Sequence, residues 1–130
     1  MSGVDHPSHY NSHPSGVEAI DIVEHLPFNV GNALKYVFRR EHKGREREDL
    51  EKAVWYLRRE LERIRKSRDF DRWTPTDGYL KAVAAASARD PSPEIGEVIS
   101  LLATSRFDES PEAASIRESL RILCRILEST

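Results

Sequence analysis

The stretch Asp49-Leu50-Glu51-Lys52-Ala53-Val54-Trp55-Tyr56-Leu57-Arg58-Arg59-Glu60-Leu61-Glu62-Arg63-Ile64 decides the fold. Its apolar residues Leu50, Val54, Leu57, Leu61 and Ile64 recur at alternating steps of four and three, which draws one apolar seam along a helix with 3.6 residues per turn. With charges of both signs between them, the spacing predicts a long helix over about 47–67. The seam is expected to pack against a partner helix or another subunit.

Upstream, Asn29-Val30-Gly31-Asn32-Ala33-Leu34-Lys35-Tyr36-Val37-Phe38-Arg39-Arg40-Glu41-His42-Lys43-Gly44 has two faces of different kinds. Val30, Ala33, Leu34, Val37 and Phe38 fall on one side, and Asn32, Lys35, Tyr36, Arg39 and Lys43 on the other. Asn29 is placed to cap this helix, and Gly44 to end it near Lys43 in the left-handed conformation. Before it, Ser15-Gly16-Val17-Glu18 has the form of a capping box, so a short first helix is expected from Val17 to His25, closed by Pro27. Residues 1–16 hold too many turn-formers for a regular element and read as an irregular arm.

Downstream, residues 69–76 read as a linker carrying Trp73 and Pro75. Helices follow at about 77–88, at 94–104 after the Pro91-Ser92-Pro93 break, and from Pro111 onward with Ile116, Leu120, Leu123 and Leu127 as an apolar stripe. No segment alternates as a strand would, so the fold class is all-α. The reading is a small helical bundle: arm 1–16, helical core 17–68, linker 69–76 and an appended C-terminal helical region 77–130.

At 130 residues with 38% hydrophobic content the chain can bury one core. It holds no apolar run long enough to span a bilayer and no charged-then-apolar leader, so a cytoplasmic protein is expected. Its single cysteine, Cys124, allows no intramolecular disulfide, fits a reducing compartment and reads as a small buried hydrophobe beside the last stripe.

The net charge of -2 is segregated: residues 1–34 carry four acids and no Lys or Arg, residues 35–72 balance at +5, and residues 73–130 at -3. A locally basic middle between acidic flanks suits a small phosphorylated ligand better than long nucleic acid.

The cations of the second helix sharpen that reading. Lys35, Arg39 and Lys43 are spaced by four, so all three point the same way and can offer donors to phosphate oxygens. Asn32 and Tyr36 share the face, where an amide can read a base edge and a ring can stack on it. The plain alternative is a solvated helix face. Glu18 and Asp21, three apart, can share a magnesium ion that also bridges phosphates, or simply complement a helix dipole; Asp49 likewise reads as a start-of-helix acid. His6, His9 and His13 invite a metal reading, but no cysteine is near and an irregular arm does not preorganise ligands. The arm is better read as folding over a bound ligand, with His9 or Tyr10 closing the site. Trp55 and Tyr56, just off the seam, read as core or interface rather than as a ligand platform. The chain has no P-loop, nucleophile elbow or Rossmann fingerprint.

Taken in order, His9-Tyr10-Asn11, the Val17-Glu18-Ala19-Ile20-Asp21 helix start, Gly31 to Arg39, Lys43-Gly44 and Asp49 to Leu57 resemble a small bacteriophage family. It is the domain of unknown function 3310, whose members are often labelled nucleotide kinase-like, and the likeness covers about residues 5–65. The resemblance implies a phage protein of deoxynucleotide metabolism, akin to a nucleoside monophosphate kinase without a P-loop. It implies that Asn32, Lys35, Tyr36, Arg39, Lys43 and Lys52 hold phosphates and base, while His9, Tyr10, Glu18 and Asp21 complete the pocket. On that likeness Lys35 and Arg39 are the expected catalytic groups, Glu18 and Asp21 the magnesium ligands and ATP the phosphoryl donor.

Three readings compete. The first is phosphoryl transfer; the second is a non-catalytic protein that sequesters a nucleotide or nucleotide signal in an anti-defence role; the third is a helical interaction module. Under all three a homo-oligomer through the Leu50–Ile64 helix is expected.

Overall fold

The computed structural model describes residues 13–40, 46–66, 74–105 and 112–129. They form six helices: α1 (Ala19–Val23), α2 (Phe28–Arg39), α3 (Glu46–Lys66), α4 (Asp77–Arg89), α5 (Pro93–Ala103) and α6 (Glu112–Glu128). No strand occurs among the described residues. The all-α class expected from periodicity is what folds.

Helices α2 and α3 pack most extensively and run antiparallel, as their cross-contacts show. Asn29 near the start of α2 meets Glu60 late in α3, while Arg39 at the end of α2 meets Asp49 early in α3. Helix α3 also packs on α6, α5 lies between α4 and α6, and α1 bridges α2 and α4. One hydrophobic cluster runs through all of them, from Ala19 and Ile22 to Ile122 and Leu123. The apolar face read for α2 is the buried one: Val30, Ala33, Leu34, Val37 and Phe38 all lie in this core. Leu50, Val54 and Leu57 of the α3 seam are buried within the chain as well. The seam is therefore filled from inside, and what α3 turns outward is Trp55, which is 58% exposed.

Local chemistry explains the boundaries. Thr76 caps α4 by accepting from the Tyr79 amide at 3.1 Å, and Ser92 caps α5 by accepting from the Ile95 amide at 3.2 Å, with Pro93 in the first turn. Gly96 lets α5 lie against α4: a Cβ there would stand 2.3 Å from the Ser87 carbonyl oxygen.

Two expected caps are corrected. Asn29 is not the cap of α2; Pro27 holds that position, and Asn29 lies inside the helix, donating from Nδ2 to Glu60 Oε1 at 3.0 Å. A buried carboxylate across the hairpin outcompetes the helix's own free amides for the Asn29 side chain. Nor does Ser15 form a capping box. Glu18 occupies the N-cap of α1 without a side-chain cap bond, and Ser15 Oγ instead accepts from the Val17 amide at 3.1 Å around the left-handed Gly16. Cys124 is half-buried rather than fully enclosed, with the Arg58 guanidinium 3.9 Å from its sulfur. Helix α2 ends at Arg39, with Arg40 as its C-cap, rather than near Lys43 as expected. The Gly44 turn, most of the arm and most of the linker lie outside the described residues.

Candidate functional site

The polar side of α2 and the adjoining side of α3 build the site. Tyr36 is half-buried between them, and three cations converge on its ring. Lys35 Nζ lies 5.1 Å from the ring centroid, Arg39 Cζ 5.5 Å and Lys52 Nζ 5.3 Å. Two of these come from α2 at adjacent turns; the third comes from α3 because the hairpin sets Lys52 beside Tyr36. The structure thus brings together four of the residues expected to hold a ligand: Lys35, Tyr36, Arg39 and Lys52.

Carboxylates temper two of the three cations. Lys52 Nζ lies 3.2 Å from Glu48, and Arg39 lies 3.8 Å from Asp49. Asp49, expected to be an ordinary first-turn acid, is completely buried beneath the site. Lys35 makes no ion pair among the described residues. A cation over a ring face gains from the ring's quadrupole, yet three like charges around one ring still repel one another.

Behind Tyr36 the aromatic surface continues. Tyr56 stacks on Tyr36 with centroids 6.0 Å apart and planes 16° from parallel. Phe28 meets Tyr56 edge-on at 6.2 Å, and Trp55 meets it edge-on at 5.0 Å. Phe28 is 75% exposed. Of the two residues read as core or interface, Tyr56 packs against the core and Trp55 is exposed. The step of about 100° between them points Tyr56 along the hairpin and Trp55 to solvent, so together with Phe28 they make an open aromatic platform. Large exposed aromatics set beside cations are a recognised signature of a binding surface.

The remaining expected site residues are placed as follows. Asn32 lies on the same face, its Nδ2 donating back to the Phe28 carbonyl at 3.0 Å, which leaves its side-chain oxygen toward solvent as the acceptor. Glu18 is half-buried at the start of α1, and Asp21 is exposed in its first turn. Among the described residues no three or more His, Cys, Asp or Glu side chains are grouped to hold a metal ion. His9, Tyr10 and Lys43 lie outside the described residues.

A second polar cluster escaped the sequence reading. His13, Arg40 and Asp90 are all buried and bonded to one another. Asp90 takes Arg40 Nη2 at 2.6 Å, Arg40 Nη1 at 3.2 Å, His13 Nε2 at 3.0 Å and the Ser92 amide at 2.9 Å. Burial alone would raise the Asp90 carboxyl. The hydrogen bonds from His13, Arg40 and the Ser92 amide, with the Arg40 charge, outweigh it and hold the group below the ordinary carboxylate value. The other His13 nitrogen contacts Ser15 Oγ at 2.7 Å, so both ring nitrogens are engaged in this tie and His13 is structural rather than a metal ligand. The sequence signals were an arginine three positions after Val37, in register with the apolar face of α2, and an aspartate before Pro91.

An all-α hairpin bearing a tyrosine ringed by three cations is thus the candidate site of this small helical protein. Residues 4–58 match the model of a family described as a protein of unknown function, DUF3310. That segment contains α1, α2 and most of α3, and so the whole Lys35, Tyr36, Arg39 and Lys52 cluster. No curated protein and no solved structure matches the chain. No helix among the described residues is long and apolar enough to cross a membrane.

Proposed function

We propose that this protein binds a nucleotide on the α2 and α3 face. Lys35, Arg39 and Lys52 hold the phosphates, and the platform behind Tyr36 supports the base. The observation that carries this reading is the convergence of three cations from two helices on one tyrosine ring, with a second tyrosine stacked behind it. A bound phosphate relieves the repulsion among the cations, and a base extends the aromatic stack. Asn32, with its side-chain oxygen outward, is the group to read a base edge. Lys43, His9 and Tyr10 join the pocket on the family likeness alone.

On the same likeness the protein is a bacteriophage nucleoside monophosphate kinase acting in the host cytoplasm. ATP gives its γ-phosphoryl group to the monophosphate, leaving ADP and a nucleoside diphosphate. Lys35 and Arg39 neutralise the group in transfer, and Glu18 and Asp21 hold magnesium. The alternative at the same site is sequestration of a nucleotide or nucleotide signal, an anti-defence role, which needs the cations but no metal.

The deciding experiment is a thermal-shift panel of nucleoside mono-, di- and triphosphates, each with magnesium and with chelator, because a ligand specific to the native state raises the melting point. A monophosphate and a magnesium-dependent triphosphate that both stabilise, with turnover lost in Lys35→Ala and Arg39→Ala, support the kinase. Metal-independent stabilisation without turnover supports sequestration. No shift with any nucleotide overturns the binding reading and leaves a helical interaction module, whose self-association through α3 is read by sedimentation.

A further inference from the structure

The aromatic platform does not end at the cation cluster. From Tyr56 it passes to Trp55, and over the Trp55 ring lies a fourth cation, Arg59 Cζ, 5.9 Å from the centroid. Arg59 in turn lines an open groove with Asn29, Glu62, Arg63 and Lys66 at the far end of the α2 and α3 hairpin. Lys35 and Arg59 share a property: among the described residues neither pairs with a carboxylate, and each sits over an exposed or half-exposed ring. Arg63 and Lys66, by contrast, are engaged by Glu60 and Glu62.

The distance between the two cationic ends sets the size of the ligand. Lys52 and Arg59 are seven positions apart on α3, about 10 Å along the axis at ~1.5 Å per residue. Stacked nucleotides advance about 3.4 Å each along a strand. One mononucleotide reaches one end; a strand of about four reaches both. Rings that alternate with cations across the two helices also match how single strands are held: every base offers a π-face, and the cations follow the backbone.

Resting on the nucleotide reading above, we infer that the ligand of this face is a short single-stranded oligonucleotide. Its phosphates run from the Lys35, Arg39 and Lys52 cluster to Arg59, and its bases stack on Phe28 and Trp55. A duplex does not substitute for the strand, because its bases are stacked inward and leave no face for Trp55. The locally basic middle of the chain confines the footprint to a few nucleotides, in keeping with the acidic flanks.

The test uses the full chain with Trp73→Phe, so that fluorescence reports Trp55, and titrates a nucleoside monophosphate and oligothymidylates of two, four and eight nucleotides. Affinity is expected to rise at least about tenfold from monophosphate to tetranucleotide and then level off, with quenching of Trp55 and a steeper salt dependence for the longer ligand. Arg59→Ala is expected to remove most of that gain and to leave monophosphate affinity unchanged. Equal affinity for monophosphate and tetranucleotide overturns the inference while the nucleotide reading stands; binding of neither overturns both. A Trp55 signal that depends on protein concentration alone, and vanishes on dilution to a monomer, assigns the platform to a second copy of the chain and likewise overturns it.

Discussion

Arg40 at the end of α2 and Asp90 at the end of α4, 50 positions apart, form a two-pronged ion pair with Nη2 to Oδ1 at 2.6 Å and Nη1 to Oδ2 at 3.2 Å. Their side chains are 3% and 0% exposed. Removing one partner of a buried pair strands the other as an uncompensated charge, which typically costs about 3–5 kcal/mol. Asp90→Asn and Arg40→Met are each expected to destabilise by that order in urea unfolding. The double variant Arg40→Met with Asp90→Asn is expected to cost less than the two single losses added together.

The same aspartate makes stability depend on acid. Its folded-state value lies below the ordinary carboxylate value of about 3.9, so its contribution is fully present above that pH and is lost as pH falls through the folded value. Urea midpoints measured between pH 6 and pH 2.5 are expected to drop more steeply below pH 4 in the native sequence than in Asp90→Asn. Parallel curves would assign acid sensitivity to other carboxylates.

Gly96 is expected to tolerate no side chain. The methyl group of Gly96→Ala meets the Ser87 carbonyl oxygen at 2.3 Å, a backbone atom that cannot swing aside, and the helices must part. A loss at or above the usual 1–3 kcal/mol of an overpacked site, roughly, is expected in thermal or urea unfolding.

Ser119 offers the opposite sign. Its hydroxyl is fully buried on α6 and has no hydrogen-bond partner among the described residues. Ser119→Ala is expected to raise the melting temperature or leave it unchanged, with a gain of up to about 1 kcal/mol, because an unsatisfied polar group is removed with almost no change in volume.

Tyr36 distinguishes a ring from a hydroxyl. Tyr36→Phe keeps the face on which Lys35, Arg39 and Lys52 converge and is expected to retain nucleotide affinity within about twofold. Tyr36→Ala removes the ring and its stack with Tyr56, and is expected to weaken binding on the order of tenfold in calorimetric titration.

Legibility in the sequence followed the range of the interactions. Helix α3 spans Glu46–Lys66, against about 47–67 from its seam, and the buried face of α2 is the one its periodicity marked. Those are repeated signals, each turn restating the last. Ser92 and Thr76 act through the next turn of chain, yet only the Pro-rich break around Ser92 drew notice. Asn29 and Ser15 went astray because a cap motif competes with partners that local sequence does not name: Glu60 for one, the Gly16 turn and His13 for the other. Lys35 and Arg39 were readable from their spacing. Lys52 came only through family likeness, and its meeting with Tyr36 needs the hairpin to close. The His13, Arg40 and Asp90 cluster joins single residues separated by 50 and 77 positions, with no repeat to announce it.

That cluster also bears on modularity. The family-matched segment 4–58 contributes His13 and Arg40, while Asp90 comes from beyond it. The segment therefore carries a buried positive charge whose counter-ion is supplied from the C-terminal helices. A recombination event that exchanged those helices would have to bring its own acid to the same spot, or lose the arginine, before the new chain could fold.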